Sequence, residues 1–182
     1  MPIMPGTREL GPENASLRVE TKRGGAAAKA GHDLVIEVRS WRATLVIGDD
    51  PAGNSLVLSA DSGSMEVIEG TGGIMALTDA DRVEIKKTLE DEVLKPGEIE
   101  FKSTGFAARE DGGLLEVKGE LSMNGKRHPV GFELSLGHDG EITGRATLKQ
   151  SDWGIKPYSG LFGTLKVRDE IEVSAEVSMP TR

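Results

Sequence analysis

Cysteine is absent from this sequence of 182 residues, and aromatic residues make up only 4% of it. Without cysteine the chain forms no disulfide bonds and no thiolate metal sites, and the absence agrees with a reducing compartment. No apolar run approaches the roughly 18 residues that a membrane-spanning helix needs. The first residues, "MPIMPGTRELGPENAS", also lack the apolar stretch of a secretory signal. The sequence as given predicts a cytoplasmic protein, or a periplasmic or secreted one if a leader has been removed.

Positive charge is scarce as well, since 22 Lys and Arg residues stand against 30 Asp and Glu residues, a net charge of -8. Phosphate backbones and anionic lipid surfaces repel such a chain, so we expect no nucleic-acid partner. The sequence contains no nucleophile elbow, no phosphate-binding glycine loop and no dinucleotide-binding glycine motif. We therefore predict a protein that is not an enzyme and that uses no cofactor.

Histidine is rare too, with three residues, His32, His128 and His138. No two of them have the i, i+4 spacing of a helical zinc site, so no metal site is predicted. His32 and Asp33 stand together before a strand-like segment and are the only plausible acid and base. The alternative is that His32 is a turn residue hydrogen-bonded to nearby backbone, and the sequence leaves both interpretations open.

What the sequence does contain is a series of segments in which apolar residues alternate with polar ones, the pattern of half-buried β-strands. The first such segment contains Leu17 and Val19, and the last contains Val177 and Met179. A chain of this length suits one domain with one core. Residues 1–14 contain prolines and glycines without periodicity and are predicted to form a flexible arm, while residues 15–180 form a single domain.

The alternation changes parity once in the first half of the chain. Apolar residues continue to Val38 on one parity and resume at Trp41 on the other. Because side chains of a strand alternate strictly between its faces, this change predicts a β-bulge or a corner near Arg39 and Ser40.

One segment has the period of a helix. Thr78 and Asp81 have the spacing of a capping box, and Pro96 and Gly97 stop the pattern. The apolar residues between these signals recur every fourth position, at Ile85, Leu89 and Val93. The sequence therefore predicts one α-helix over roughly residues 79–94 with a narrow apolar stripe.

The strands after this helix are joined by short turns. Asn124-Gly125 is typical of a two-residue type I′ hairpin, and Asp139-Gly140 is a similar signal. Sequential strands therefore pair antiparallel. A meander of about eight strands curls, and closure removes its exposed edges, so the predicted fold is mainly β, an up-and-down β-barrel with one helix.

Small residues recur on the inward faces of these strands. They are Ala43, Ala60, Gly119, Gly144, Ala146 and Ala175. Barrels of this size either fill themselves with side chains or hold one small ligand. The small residues indicate either an apolar cavity or relief of close packing between strands. Trp41 and Trp153 admit the same two interpretations, a cavity end or plain packing, and Phe162 lies in a segment that is predicted to form a flap.

Motifs in the second half of the chain carry a resemblance to a known family. The segments are "IEFKST" (99–104), "VKGELSMNGKRHPVGFELSL" (117–136), "KQSDWGI" (149–155) and "RDEIEVSAEV" (168–177). Their order and spacing resemble the YceI family of lipocalin-like, polyisoprenoid-binding proteins. Gln150 stands where that family often has arginine, and Trp153 stands in place of its phenylalanine.

The resemblance implies that the barrel binds, and transports or stores, a polyisoprenoid, an isoprenoid quinone or a similar amphiphilic lipid, and it makes a homodimer reasonable. The predicted ligand-binding residues are Trp41, Phe101, Val117, Gly119, Leu121, Phe132, Leu134, Ile142, Gly144, Ala146, Leu148, Trp153 and Phe162. Our hypothesis for the glycine-containing strand is that Gly144 and Ala146 leave width for a lipid tail.

Two other classes of function remain open from the sequence. In the first, the protein is an enzyme or stress-response factor that acts on a bound amphiphile through His32 and Asp33. In the second, it is an interaction module whose barrel is solid and whose function lies on the surface.

Overall fold

Antiparallel strands dominate a computed structural model that describes residues 5–109, 113–137, 140–160 and 165–177. The strands, in chain order, are β1 (Gly6–Leu10), β2 (Ala15–Thr21), β3 (Arg23–Gly24), β4 (Asp33–Val38), β5 (Trp41–Ile47), β6 (Ser55–Asp61), β7 (Met65–Thr71), β8 (Glu98–Ala108), β9 (Leu114–Met123), β10 (Lys126–Leu136), β11 (Ile142–Lys149), β12 (Ser159–Gly160), β13 (Leu165–Val167) and β14 (Glu170–Val177). Between β7 and β8 the chain forms helix α1 (Asp79–Thr88), which continues as a π-helical turn over Leu89–Val93. The predicted mainly β fold with one helix is confirmed.

Eleven strands form one curled sheet, in the order β1-β5-β6-β8-β9-β10-β11-β14-β2-β4-β7, while β12, β13 and β3 form a small second sheet. Strands β8, β9, β10, β11 and β14 lie side by side in the order in which they occur along the chain, as in an up-and-down arrangement. The last strand, β14, pairs with β2 and so brings the two ends of the meander together. The strand count exceeds the predicted number because two long strands are each divided by a bend and because β1 is added at an edge.

The bend that divides these strands lies where the sequence changes parity. β4 pairs with β7 and β5 pairs with β6, so the four strands form one long ribbon. At the bend, Arg39 N donates to Ser64 O and Asp61 N donates to Ser40 O, which continues the ladder across the corner. The ribbon thereby joins strands from opposite ends of the sheet order, and the sheet curls around an interior. The predicted corner at Arg39 and Ser40 is confirmed.

The segment before β2 differs from the flexible arm that the sequence predicts. Residues 6–10 form β1, which pairs with β5 from Gly6 opposite Ile47 to Leu10 opposite Ala43. Asn14 closes the following turn, since its Oδ1 accepts from Gly11 N at 2.9 Å. The arm prediction is wrong for this segment because an edge strand is held by backbone hydrogen bonds, which proline and glycine composition does not reveal.

Alternation of side chains places one face of each long strand in the interior. In β5, Trp41, Ala43, Leu45 and Ile47 are buried while the residues between them are more exposed. The hairpin between β9 and β10 follows its turn signal, because Asn124 has φ 53° and Gly125 has φ 70°. Both central residues of a type I′ turn need this left-handed conformation. The register that results keeps the apolar faces of β9 and β10 on the same side.

Helix α1 lies against the ribbon at its bend. The Lys86 ammonium donates to Gly63 O and Met65 O, which ties the helix to the β6–β7 connection. Leu89 and Val93, in the π-helical turn, pack against the buried core. The helix thus covers part of the interior with its C-terminal end.

The capping box of α1 is formed as predicted. The Thr78 side chain accepts from Asp81 N, and the Asp81 carboxylate accepts from Thr78 N at 2.8 Å. This second hydrogen bond, from the backbone N–H of Thr78, is the largest cause of the lowered pKa of Asp81.

We expect Thr78→Ala to destabilise α1 by about 1 kcal/mol, the usual cost of losing an N-cap. Amide hydrogen exchange is the measurement, and the amides of α1 are expected to exchange faster while those of β9 do not change. The matched control is Glu84→Ala, an exposed position on the same helix. Equal exchange in α1 of Thr78→Ala and wild type would contradict the prediction.

Candidate ligand-binding cavity

A cavity of about 240 Å³ lies inside the curled sheet. Its lining comes from most strands of the large sheet and from the end of the helix, where Leu89, Val93 and Leu94 contribute. Nearly all lining side chains are aliphatic or aromatic. The strand alternation that builds the core therefore also builds an apolar hollow along it.

Most of the residues that the sequence places in a ligand site line this cavity. They are Trp41, Phe101, Leu121, Phe132, Leu134, Ile142, Gly144, Ala146 and Leu148. Phe101 and Phe132 face each other, with ring centroids 5.5 Å apart and ring planes 58° apart. This aromatic pair narrows the cavity, so movement of either ring would change its width.

Three predicted residues do not belong to the lining of the cavity. Val117 is 0% exposed and is packed inside the core. The space above Gly119 is taken by Phe101, because a Cβ at position 119 would lie 2.5 Å from Phe101 Cζ. Trp153 fixes a turn, as described below. Phe162, the fourth, lies outside the described residues.

The inward glycines serve close packing between neighbouring strands. At Gly144 a Cβ would lie 2.9 Å from Leu134 Cδ2, so the Leu134 side chain occupies much of the space that the missing side chain leaves. The same holds for Phe101 above Gly119. Relief of crowding, one of the two interpretations that the sequence left open, therefore explains both glycines. Ala43, Ala60, Ala146 and Ala175 remain as small residues on the cavity wall.

Trp153 holds the turn that follows β11. Its indole Nε1 donates to Leu121 O at 2.8 Å, and its own carbonyl accepts from Asn124 Nδ2 at 3.0 Å. The ring is 1% exposed and packs edge-on against His128 at a centroid distance of 5.3 Å. This side chain ties the end of β11 to the β9–β10 hairpin, which supports plain packing at the barrel end.

The predicted ligand-binding residues leave out the residues of β2 and β14 that line the cavity, although Ala175 was expected on an inward face. These residues are Leu17, Val19, Thr21, Ile171, Val173, Ala175 and Val177. Alternation in "SLRVET" and "IEVSAEV" was a visible signal for their inward direction. What the sequence does not show is that β2 and β14 are neighbours, since residues so far apart along the chain are paired only in the folded sheet.

The lining includes a few polar residues. Thr21 and Gln150 are 9% and 6% exposed, respectively. Within the described residues, Thr21 Oγ1 and Trp41 Nε1 are buried atoms without a hydrogen-bond partner. Arg145 is the lining residue with an ionisable side chain, and its exposed guanidinium forms an ion pair with Glu172. The interior therefore presents a hydroxyl, an indole N–H and an amide, but no charge directed inward.

Gln150 is held in a turn that is fixed by Asp169. Gln150 N donates to Asp169 O, and Gln150 Nε2 donates to Arg168 O at 3.0 Å. The hydroxyl and the backbone N–H of Ser151 both donate to the Asp169 carboxylate. The hydroxyl bond is the largest cause of the lowered pKa of Asp169. The carboxylate thus stays ionised and keeps this turn in place.

His32 and Asp33, the candidate acid and base, hold local structure. His32 Nε2 lies 2.6 Å from Met75 O, and the Asp33 carboxylate accepts from Arg23 N at 2.9 Å. Neither residue belongs to the lining of the cavity. The interpretation of His32 as a turn residue bonded to backbone agrees with this arrangement.

The fold and its hollow define a class of protein, a curled antiparallel β-barrel with an apolar interior partly covered by one helix. The family model of the YceI-like domain matches residues 14–179. This chain therefore belongs to the YceI-like family. None of the curated proteins matches it in sequence.

Solved structures share the fold at low sequence identity. BcnA from Burkholderia cenocepacia has a TM-score of 0.65 and 15% identity, over 90% of this chain and 94% of that protein. A polyisoprenoid-binding domain from Saccharophagus degradans, implicated in plant cell wall breakdown, has a TM-score of 0.51 and 10% identity, over 96% of this chain and 99% of that domain. At such identities the likeness shows the fold. Among the described residues, every helix falls short of the length and apolarity that a bilayer crossing requires.

Proposed function

We propose that this protein binds a long apolar ligand inside the barrel, such as a polyisoprenoid, an isoprenoid quinone or a similar amphiphilic lipid. The observation that carries the proposal is the cavity of about 240 Å³ with its almost wholly apolar wall. Membership of the YceI-like family and the fold shared with a polyisoprenoid-binding domain support the same class of ligand.

Burial of the tail accounts for useful affinity without catalytic groups. Each buried methylene group contributes about 0.8 kcal/mol, and micromolar binding corresponds to about 8 kcal/mol net. Ordering of the ligand and loss of its free motion oppose binding by several kcal/mol, so a few isoprene units are needed. Such binding depends on tail length more than on the head group.

The size of the cavity limits how much of a ligand it encloses. Pockets for drug-sized ligands usually measure about 300–1,000 Å³, and this cavity is smaller. A short tail fits as the side chains stand. A longer tail requires a shift of lining side chains, and the Phe101 and Phe132 rings are the bulky pair that would have to move.

A binding protein of this kind serves transport or storage, because a bound tail is shielded from water without being changed. The presence of this cavity argues against the alternative that the protein is an interaction module with a solid barrel. An enzyme acting on a bound amphiphile is a weaker alternative, since His32 and Asp33 lie outside the cavity lining. The homodimer and the cytoplasmic location stay predictions from the sequence, and light scattering of the purified protein tests the first.

Native mass spectrometry of protein purified from its own host tests the proposed function. We expect an added mass that survives purification and disappears after extraction with organic solvent, and the extract should contain an apolar lipid. The extracted protein should then bind the neutral dye Nile red with increased fluorescence. A mass equal to that of the bare chain before extraction, together with no binding of Nile red, would contradict the proposal.

A further inference from the structure

Two uncharged polar side chains meet the cavity at one end of the barrel. Thr21 is the last residue of β2, and Gln150 directly follows β11. Strand β14 runs between β2 and β11, where Val173 is opposite Val19 and Ile171 is opposite Leu148. Thr21 and Gln150 therefore lie on either side of the first residues of β14, at the same end of the cavity.

Thr21 carries a hydroxyl that the described part of the chain leaves without a partner. Its Oγ1 is buried, and the residue is 9% exposed. An unsatisfied buried hydroxyl destabilises the folded state, and native proteins usually satisfy such groups with a protein atom, a water molecule or a ligand. A valine of the same shape would avoid this cost, so the hydroxyl is unfavourable unless something binds to it.

Gln150 adds an amide whose position is fixed. Its Nε2 donates to Arg168 O, and its backbone N donates to Asp169 O, so the side chain is held against the β13–β14 connection. The Nε2 group carries two hydrogens, of which the hydrogen bond to Arg168 O uses one. The amide therefore keeps hydrogen-bonding capacity on a residue that lines the cavity.

The described residues at this end of the cavity present no charged group to its interior. The ionisable lining residue, Arg145, forms its ion pair with Glu172 and is exposed. A carboxylate or phosphate drawn into this cavity would lose its water without gaining a counter-ion, which is strongly unfavourable. An uncharged carbonyl group has no such cost and accepts a hydrogen bond from a hydroxyl.

We propose that Thr21 and Gln150 form a subsite for an uncharged carbonyl group of the ligand, as in a ketone, an ester or an amide, while the tail fills the apolar remainder. This inference rests on the proposed function. It deepens that function because it selects neutral acceptor lipids over fatty acids, phosphorylated lipids and plain hydrocarbons.

Three probes with the same alkyl chain separate these classes: methyl laurate, dodecane and laurate. Each competes with Nile red for the extracted protein, and the apparent dissociation constants are compared. We expect methyl laurate to bind more tightly than laurate. Thr21→Val should raise the apparent dissociation constant of methyl laurate about tenfold, the effect of one hydrogen bond. It should leave the apparent dissociation constant of dodecane unchanged.

Thermal unfolding of the ligand-free variants is a second measurement, in which the substitution that weakens binding is expected to increase stability. Thr21→Val should raise the melting temperature, because it removes a buried hydroxyl without a partner. Thr21→Ser should keep the preference for methyl laurate, and Thr147→Val, the same substitution on the exposed face of β11, should change neither measurement.

The outcomes distinguish the inference from the function on which it rests. Equal weakening of methyl laurate and dodecane in Thr21→Val, no weakening of either, or tighter binding of laurate than of methyl laurate would overturn the carbonyl subsite and leave the apolar cavity intact. Failure of Nile red and of all three probes to bind the wild-type protein would overturn the proposed function itself.

Discussion

Ala146→Leu is expected to weaken the binding of an apolar ligand by roughly fiftyfold while the barrel remains folded. Ala146 lines the cavity from β11, opposite Val173 of β14. Leucine adds three carbon atoms to this wall and displaces about three methylene groups of ligand, each contributing about 0.8 kcal/mol. Ala146 is preferable to Gly144 because a Cβ at position 144 would meet Leu134 at 2.9 Å.

Titration with Nile red and thermal unfolding measure the two parts of this expectation. The new side chain enters open space, so the free energy of unfolding should change by less than about 1 kcal/mol. The control is Thr147→Leu, which places the same side chain on the exposed face of the same strand. If Ala146→Leu binds the dye as tightly as wild type, the ligand does not occupy this cavity.

Trp153→Ala is expected to lower the free energy of unfolding by about 3–5 kcal/mol, the range for removal of a large buried aromatic side chain. The loss includes the packing of a ring that is 1% exposed and the hydrogen bond to Leu121 O. With the ring gone, the turn after β11 is no longer tied to the β9–β10 hairpin. A single domain stabilised by only 5–15 kcal/mol would lose a large share of its stability.

Urea denaturation measures this effect, and Trp153→Phe separates packing from hydrogen bonding. Phenylalanine keeps an aromatic ring but cannot donate to Leu121 O, so Trp153→Phe should lower the free energy of unfolding by about 1–2 kcal/mol. Binding of Nile red to the folded fraction should be retained in both variants, since Trp153 does not belong to the lining of the cavity. A midpoint for Trp153→Ala within error of wild type would contradict the structural role.

Local chemistry explains which parts of the fold could be predicted from the sequence. The type I′ turn at Asn124-Gly125, the capping box at Thr78 and the corner at Arg39 each follow from short-range rules on backbone conformation or on alternation. Strand β1 was missed because its stability comes from pairing with β5, a contact that its own composition does not indicate.

The candidate site was predictable to the extent that it follows from alternation. Inward residues of β10 and β11, such as Phe132 and Ile142, line the cavity as expected. The role of Gly119 was not predictable, because it depends on the Phe101 ring of the neighbouring strand. Nor did the sequence indicate the unpartnered Thr21 hydroxyl, since hydrogen bonding of a buried atom depends on the arrangement of all strands around it.

Strand β14 closes the sheet against β2, with Ala15 opposite Val177. Contacts between residues so distant along a chain carry a large loop-closure entropy and slow folding, on the order of milliseconds to seconds for β-rich domains. Until β14 is paired with both β2 and β11, the facing edges of those two strands are open and the interior is wet. A nonpolar molecule present at that stage would be enclosed when the wall closes, without having to pass through an end of the finished barrel.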